Sequence, residues 1–380
     1  MIIDIVRECP VVNTPRVVQV AGMFDVPIAE KSRVELRGAL PIEDRVWSVG
    51  LIVGPSGSGK STLARELFGP SLVTGFEWPA DKSILDGFPS GAGIKTVSTA
   101  LNSVGFGTIP NWLRPFHVLS NGEQFRATVA RALVEAPLRD LVVIDEFTSV
   151  VDRQVAKIAS HSVQKTVRRG KRKLIAVACH YDIVEWLQPD WVYEPHLAAF
   201  EWRSLQRRPE IAIEIRSVDK SVWPQFASYH YLTSRLSPSA VCIGGFIGDR
   251  CVAFTSATRF VHPRAKNIYQ AHRTVVLPDY QGLNLGGVMS DWLGVALWQR
   301  GWRMHATIAH PALIAYRRRS PRWRVLRTGF QSAGGRKADP SLRRHQSEFS
   351  SRRVSTSFAF TPPAGTKSAS RPMPLDDLKG

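Results

Sequence analysis

The stretch "VGLIVGPSGSGKSTLARELF", residues 49–68, decides how the first half of the chain is built. An apolar run ends in a glycine turn, and a helix-forming sequence follows at once. Gly54, Gly59, Lys60 and Ser61 fit the pattern G-x-x-x-x-G-K-[ST], with Ser56, Gly57 and Thr62 in the same loop. After a strand and before a helix, this pattern makes a phosphate cradle. Bare backbone N–H groups and the helix N-terminus face the anion, Lys60 reaches its outer oxygens, and Ser61 can hold Mg²⁺.

Downstream, "LVVIDEF" (141–147) and "KLIAVACH" (173–180) have the length and β-branched content of buried strands, and "RQVAKIASHSVQKTVRRG" (153–170) between them is helical in pattern. Strands alternating with helices imply a parallel sheet covered on both faces. Upstream, residues 1–47 are expected to form short strands and turns, among them "RVVQV" (16–20) and "SRVELRG" (32–38). From about residue 211 the pattern restarts: strand "IAIEIRSV", helix "WPQFASYHYL", a hairpin around Gly248-Asp249, strand "AHRTVVLP", and helix "LGGVMSDWLGVALWQRGW". This second block is expected to be an independent α+β unit. Beyond residue 330 Ser, Arg, Pro and Gly dominate without apolar periodicity, so a disordered tail is expected.

The chain has 380 residues, enough for two domains that each bury a core. We therefore expect domains at 1–205 and 206–332, and a basic tail at 333–380. No apolar run approaches 18 residues, and "MIIDIVRECPVV" is too short and too acidic for a signal peptide, so a soluble, cytoplasmic protein is expected. Cys9, Cys179, Cys242 and Cys251 are scattered and suit buried thiols better than a metal or redox motif. The formal charge of +18 points to a polyanionic partner, because Lys and Arg release counterions from phosphates. From residue 311 onward there are 15 Lys and Arg against 4 Asp and Glu, a balance of +11, so most of the excess is C-terminal.

A set of motifs in fixed order narrows the nucleotide site. "VLSNGEQFRATVARALV" (118–134) resembles the signature motif of ABC-type ATPases, with Ser120 and Gly122 in place and Asn121 where the family has its first glycine. Asn tolerates positive φ, which would let that turn survive. In "LVVIDEFTSVVD" the resemblance makes Asp145 a member of the Mg²⁺ shell, Glu146 the residue that polarises the attacking water, and the residues through Asp152 a D-loop. His180 stands where the family has its switch histidine. The resemblance implies ATP and Mg²⁺ as ligands and a head-to-tail homodimer in which one subunit's signature completes the other's ATP site. Only 60 positions separate Lys60 from Ser120, and none of the intervening residues is Gln, so the family's Q-loop glutamine is missing. Asp86 is the candidate to replace it, and Phe24 is a candidate for stacking on adenine or for the core. Without that loop and without a transmembrane segment, no membrane subunit is expected.

The second block raises its own candidate site. "VVLPDYQGLNLGG" (275–287) places Gln281, Gly282, Asn284 and Gly286 at a strand-to-helix turn with no Lys-Ser/Thr pair after it. It resembles the pyrophosphate loop of GNAT-type N-acetyltransferases, and the surrounding order of elements, ending in strand "MHATIAH" and helix "PALIAYRRR", resembles that family too. The resemblance implies acetyl-CoA or another acyl-CoA, and Tyr316 as the acid that protonates the departing thiolate. His230, Tyr231 and His272 are available to the acceptor amine. "HYL" with "HRTVVLPDYQG" further resembles the phage Mom-type branch, which modifies adenine in DNA.

"AYRRRSPRWRVLR" (315–327) sets six arginines and a tryptophan beside this site, and "TVRRGKRK" (166–173) is a second basic cluster; both suit a nucleic-acid backbone, and the tryptophan would suit an unpaired base. The expected fold is α/β: a P-loop ABC ATPase domain, a GNAT-like α+β acyltransferase domain and a disordered basic tail. The expected function is ATP-dependent transfer of an acyl group to a nucleic-acid base amine. Two alternatives stay open: a protein or small-amine N-acetyltransferase with a regulatory ATPase, and a non-catalytic ABC-type nucleic-acid clamp.

Overall fold

The computed structural model describes residues 1–24, 26–28, 30–136, 141–205, 211–230, 234–261, 266–330 and 354–375. They fall into two compact units, one made of residues 1–77 and 124–209 and the other of residues 78–123 and 210–380. Residues 78–123 thus pack with the C-terminal half, although they lie between the phosphate loop and the Asp145 strand in sequence.

In the first unit one sheet has the strand order Leu72–Val73, Leu141–Ile144, Lys173–Ala178, Val49–Val53, Trp191–Glu194, Ala199–Trp202. The first five run parallel, and Ala199–Trp202 returns antiparallel. All five residues of Val49–Val53 are buried, as a strand covered on both faces requires. Trp47, Ile52, Leu63, Val143, Ile175 and Trp191 belong to one core cluster. Gly50 is bare because the Trp191 ring lies across it; a Cβ there would collide with the ring. Helix Arg153–Arg169 starts where the Asp152 side chain accepts from Gln154 N–H and stops at Gly170.

A separate two-stranded antiparallel sheet pairs Ile2–Pro10 with Lys31–Ala39. Between them the structure corrects one expectation: "RVVQV" lies in helix Pro15–Phe24 rather than in a strand. Thr14 explains it, accepting the Val17 N–H at 3.3 Å as an N-cap with Pro15 in the first helical position, and these start signals outweigh the β-branched run.

The second unit holds a seven-stranded sheet, in the order Trp323–Phe330, Val354–Phe360, Arg303–Ile308, Ile268–Val276, Arg250–Phe260, Val241–Ile247, Glu214–Ser217. Every neighbouring pair is antiparallel except Ile268–Val276 with Arg303–Ile308. The expected hairpin is present, with Gly248 at φ 58 in its turn. Of the expected helix "WPQFASYHYL" only Pro224–Ala227 is helical within the described residues.

The disordered tail is corrected where the chain is described. Val354–Phe360 is a strand inside the sheet, between Trp323–Phe330 and Arg303–Ile308. Phe358 and Phe360 are buried, and the Phe360 ring packs edge-on against Trp323 at 5.2 Å. The alternation in "VSTSFAF" carried this signal, but polar sequence on either side concealed it. The rest of the tail expectation, residues 333–353 and 376–380, lies outside the described residues.

Candidate functional site

The first constellation lies at the C-terminal edge of the parallel sheet, where open α/β sheets place their ligands. Val53 pairs with Ala178 and Ile144 with Ala176, so Gly54, Asp145 and His180 all leave their strands at the same edge. The loop turns on Gly57 at φ 79 and Gly59 at φ 83, and helix Lys60–Phe68 follows with no side-chain cap, leaving its first N–H groups to the loop's concavity. Ser56 is exposed in the loop and Thr62 half-buried in the helix's first turn. Lys60 Nζ donates to Pro55 O at 2.7 Å, curling back over the loop.

The two expected metal ligands meet. Ser61 Oγ donates to Asp145 Oδ1 at 3.0 Å, and the Glu146 N–H donates to the same oxygen at 2.9 Å. A hydroxyl and a carboxylate in contact beside a phosphate loop are hard oxygen donors of the kind Mg²⁺ takes, so the residues fit that ion. Glu146 is exposed with φ at 49, and Thr148, buried, follows at φ 65. Two non-glycine residues in the left-handed region mark a turn over-determined by its surroundings. Phe147 fixes it by donating its N–H to Val177 O at 2.8 Å and packing on Phe125.

Sequence reasoning missed His196. A Cβ on Gly54 would come within 3.0 Å of His196 Nδ1, so this ring closes one side of the loop. Glu194 stands beside it and accepts the Tyr181 hydroxyl at 2.5 Å. Desolvation and that carboxylate push the Tyr181 phenol up to about 12. Only tertiary contact links His196 to the loop, so no local motif announced it. Phe24 is exposed at the end of its helix, which sets aside its core alternative.

In the second unit, the signature turn is a capping box. Ser120 N–H donates to Glu123 Oε2 at 3.2 Å, Ser120 Oγ to the same oxygen at 3.0 Å, and Glu123 N–H returns to Ser120 Oγ at 3.4 Å. Helix Asn121–Glu135 starts here, with Gly122 buried in its first turn and Asn121 exposed. Asn121 is not among the described residues at positive φ, so its left-handed tolerance is not what preserves the turn. Asp86 accepts the Ser83 hydroxyl at 2.6 Å.

The other constellation of this unit is a wedge. Ile268–Val276 and Arg303–Ile308 pair at three positions, Ile268 with Arg303, Tyr269 with Met304 and Gln270 with His305. Beyond these, Ala271–Val276 pairs with Arg250–Phe260 and the end of Arg303–Ile308 pairs with Val354–Phe360. The two inner edges therefore part toward their C-terminal ends. His272 sits at a β-bulge, with Ala271 opposite Ala257 and Arg273 opposite Ser256.

The glycine loop closes the wedge's first strand. Gly282 is at φ 99 and Asn284 at φ 64, and helix Leu285–Gln299 follows without a side-chain cap. Its ladder begins with Gly287 and Val288 donating to Asn284 O, so the Leu285 and Gly286 N–H groups stand ahead of it as helix-start donors. A Cβ on Gly286 would meet Thr274 and Val276 only at ordinary distances of 3.5 and 3.7 Å. Gly287 is the tight position, where a Cβ would come within 2.6 Å of Asn284 Oδ1 and 2.9 Å of Tyr316 Cε1. Tyr316 therefore lies against the loop, and its hydroxyl donates to Asp291 Oδ2 at 2.5 Å while Trp323 Nε1 donates to Asp291 Oδ1 at 2.6 Å. Desolvation and the Asp291 carboxylate push the Tyr316 phenol up to about 12. Asp291 gave no sequence signal, because its two partners are 25 and 32 residues away.

Gln281 does not face the loop's donors. Its amide accepts the Gly107 N–H at 2.6 Å and donates to Thr108 Oγ1 and to Val276 O, each at 2.9 Å. Three histidines come together nearby. Desolvation, then Arg273, brings His230 down to about 3 and His272 to about 4, and desolvation lowers His310. His272 Nε2 accepts the Ser237 N–H at 3.1 Å. Tyr231 lies outside the described residues.

The basic stretch 315–327 is partly corrected. Arg317 is fully buried with its guanidinium over the Trp323 ring at 3.8 Å, and Trp323 is itself buried, so neither can meet a phosphate or a base. Arg318, Arg319, Arg324 and Arg327 are exposed. Among the described residues no helix is long and apolar enough to cross a membrane, and no cluster of His, Cys, Asp and Glu could hold a metal ion.

No family model matches the chain. It is 27% identical over 216 residues to the Escherichia coli (strain K12) protein named "Probable ATP-dependent transporter SufC", covering 44% of this chain and 86% of that protein. Among solved structures it is similar to cbiO1 of Clostridium perfringens, part of the ABC transporter complex cbiONQ, with 20% identity, a TM-score of 0.32, and 43% of this chain and 76% of that one covered. It is also similar to the ribosomal-protein-S18-alanine N-acetyltransferase of Escherichia coli, with 15% identity, a TM-score of 0.29, and 42% and 99% covered. At these scores the structural likenesses carry no argument. The sequence similarity to SufC, together with Lys60, Ser61, Asp145 and Glu146 on one sheet edge, supports an ABC-type ATPase domain.

Proposed function

We propose that the chain is an ATP-dependent acyltransferase acting on a base amine of nucleic acid. The ATPase part rests on the Ser61–Asp145 contact at the phosphate loop. In this reading Mg²⁺ sits on those two residues, Lys60 holds the β/γ oxygens, and Glu146 orients the attacking water with His180 at the same sheet edge. ATP bound between the P-loop of one copy and Ser120 and Gly122 of a second holds a homodimer together, without a membrane subunit.

The observation that carries the acyltransferase part is the wedge, a parallel pair joined at three positions with a glycine loop at its first strand's end. The N–H groups of Leu285 and Gly286 would hold the pyrophosphate of acetyl-CoA or another acyl-CoA, which supplies the acyl thioester. Amine attack forms the N–C bond and breaks C–S, and the proton lost from nitrogen leaves with the thiol. At about 12 the Tyr316 phenol holds its proton more tightly than a thiol does, and its one O–H is donated to Asp291, so it would steady the sulfur only by turning that proton away from the carboxylate.

The histidines bear on the acceptor. A base near pH 7 is needed to strip a proton from a lysine ammonium, and His230 near 3 and His272 near 4 are far too weak. A nucleobase amine carries no ammonium proton to remove beforehand; its lone pair is drawn into the ring, which makes it the weaker nucleophile, and the one proton it sheds on acylation passes to the departing thiolate. The exposed Arg318, Arg319, Arg324 and Arg327 would meet the polymer's phosphates. A non-catalytic clamp is the second reading, favoured by the engagement of both Gln281 and Tyr316 in internal hydrogen bonds.

Calorimetry with acetyl-CoA on the full chain and on Gly286→Glu tests the acyl site. Wild type is expected to bind and Gly286→Glu to lose binding with ATP hydrolysis intact; no binding by wild type would leave the clamp. Mass spectrometry of nucleosides from cells with and without the protein then tests the acceptor.

A further inference from the structure

The wedge is bridged by the chain itself. Gly107, from the segment 78–123, donates its N–H to Gln281 Oε1 at 2.6 Å, and its carbonyl lies 3.1 Å from His310 Nε2. A carbonyl only accepts, so His310 carries its proton on Nε2 here. Gln281 follows Ile268–Val276 and is folded back onto the Val276 carbonyl, whereas His310 comes two residues after Arg303–Ile308. One residue, through its N–H and its carbonyl, thus joins the ends of the two strands that part. Thr108 adds a second bond to Gln281, and helix Ile94–Ser103 packs against helix Pro311–Arg319. Gly107 is bare for a local reason, since a Cβ there would come within 3.1 Å of Gln281 Oε1.

The same segment carries the signature turn, and a short path joins the two. Helix Ile109–Trp112 begins directly after Thr108, and its buried Asn111 donates Nδ2 to Glu123 Oε1 at 2.6 Å. The other oxygen of Glu123 is the one that caps Ser120. A shift at Ser120 would therefore be felt at Glu123 and Asn111 through hydrogen bonds, and at the Gly107–Thr108 bridge through the short helix and its Asn111 N–H to Thr108 O bond.

We propose that the turn Gly105–Thr108 is a built-in cover on the acyl-carrier wedge, displaced by acyl-CoA and loosened when ATP engages the signature turn. This rests on the acyl-CoA reading of the wedge given above. Because the cover and the acyl carrier compete for one opening, and ATP acts on the cover, ATP and acyl-CoA bind with positive coupling, each strengthening the other to the same degree.

The experiment uses the full chain and acetyl-CoA. Gly107→Ala with Thr108→Val disturbs the close fit to Gln281 and removes one hydrogen bond from the cover, while leaving unchanged the Leu285 and Gly286 N–H groups assigned to the pyrophosphate and every residue of the ATP site. It is expected to tighten acetyl-CoA about fivefold, the worth of roughly one net hydrogen bond. In Glu146→Gln, saturating ATP is expected to tighten acetyl-CoA at least threefold. Should the double variant fail to fold, hydrogen exchange on wild type reads the same contact: acetyl-CoA is expected to speed exchange of the Gly107 amide. Equal affinities in wild type and variant, or a Gly107 amide indifferent to saturating acetyl-CoA, would overturn the cover and leave the acyltransferase reading standing. Absence of acetyl-CoA binding from both proteins would overturn that reading and the cover with it.

Discussion

Glu146 sits in the left-handed region, exposed, with its N–H on the carboxylate that also holds Ser61. Its side chain is therefore free of structural duty while its backbone is fixed. In the proposed function Glu146 orients the attacking water, so Glu146→Gln is expected to lower phosphate release by roughly 10²–10³ while Mg-ATP stays bound. Lys60→Ala is expected to abolish nucleotide binding itself; a Glu146→Gln protein with wild-type turnover would remove Glu146 from the chemistry. His230 gives a second residue-scale expectation. Its folded pKa lies near 3, far below the ordinary histidine value, so it is neutral in the fold and protonated in the unfolded chain below about pH 6.5. Below that pH the unfolded state binds the extra proton, and stability falls as pH drops, by about 1.4 kcal/mol per unit for His230. His272 acts in the same direction with less weight, being more exposed. Urea unfolding of the full chain at pH 7 and pH 5 measures the slope, and a second unit equally stable at both would show that His230 is not held neutral by burial.

At the scale of elements, what was legible in the sequence is what is local in it. Strand, glycine turn and helix at 49–68 lie side by side, and the turn chemistry names its ligand. The hairpin at Gly248-Asp249 and helix Leu285–Gln299 were equally plain. Helix Pro15–Phe24 is harder to read, because its five β-branched or polar residues at 16–20 suit a strand and its start signal is the single pair Thr14-Pro15. Strand Val354–Phe360 is hard to read in the sequence because its short alternation is flanked by polar residues and its partners lie about 50 and about 30 residues upstream. Its place between two other strands makes a firm expectation. Phe358 is fully buried beneath Trp323, so Phe358→Ala should cost about 3–5 kcal/mol by lost burial and an unfilled cavity. Truncation before residue 354 should cost far more, opening the sheet beside Arg303–Ile308. Thermal unfolding of both variants is the measurement, and a truncated chain with an unchanged transition would mean that the strand is dispensable.

Over the whole molecule the charge of +18 is not spread as the sequence suggested. Arg317 is locked over Trp323 in the core, so of the run Arg317, Arg318 and Arg319 only the last two face solvent. Arg324 and Arg327 are exposed on Trp323–Phe330, the edge strand of the seven-stranded sheet, and so belong to the same region of the second unit. Each arginine that neutralises a DNA phosphate adds about 0.9 to the magnitude of the slope of log affinity against log salt. Removing Arg318 and Arg319 together should therefore flatten that slope by about two units, and removing Arg324 and Arg327 as well by about four. Arg317→Ala should behave differently: it leaves the slope unchanged and lowers stability, because it strips a cation from between Trp323 and Phe358. Titration of labelled single-stranded and duplex DNA at several salt concentrations separates the two behaviours. If the chain binds DNA and the four-arginine variant keeps the wild-type slope while still folded, the contact lies on another basic surface; Arg168 is held by Asp190 and Arg172 by the Leu133 carbonyl, so the exposed Arg169, Lys171 and Lys173 of the first unit become the next set to neutralise.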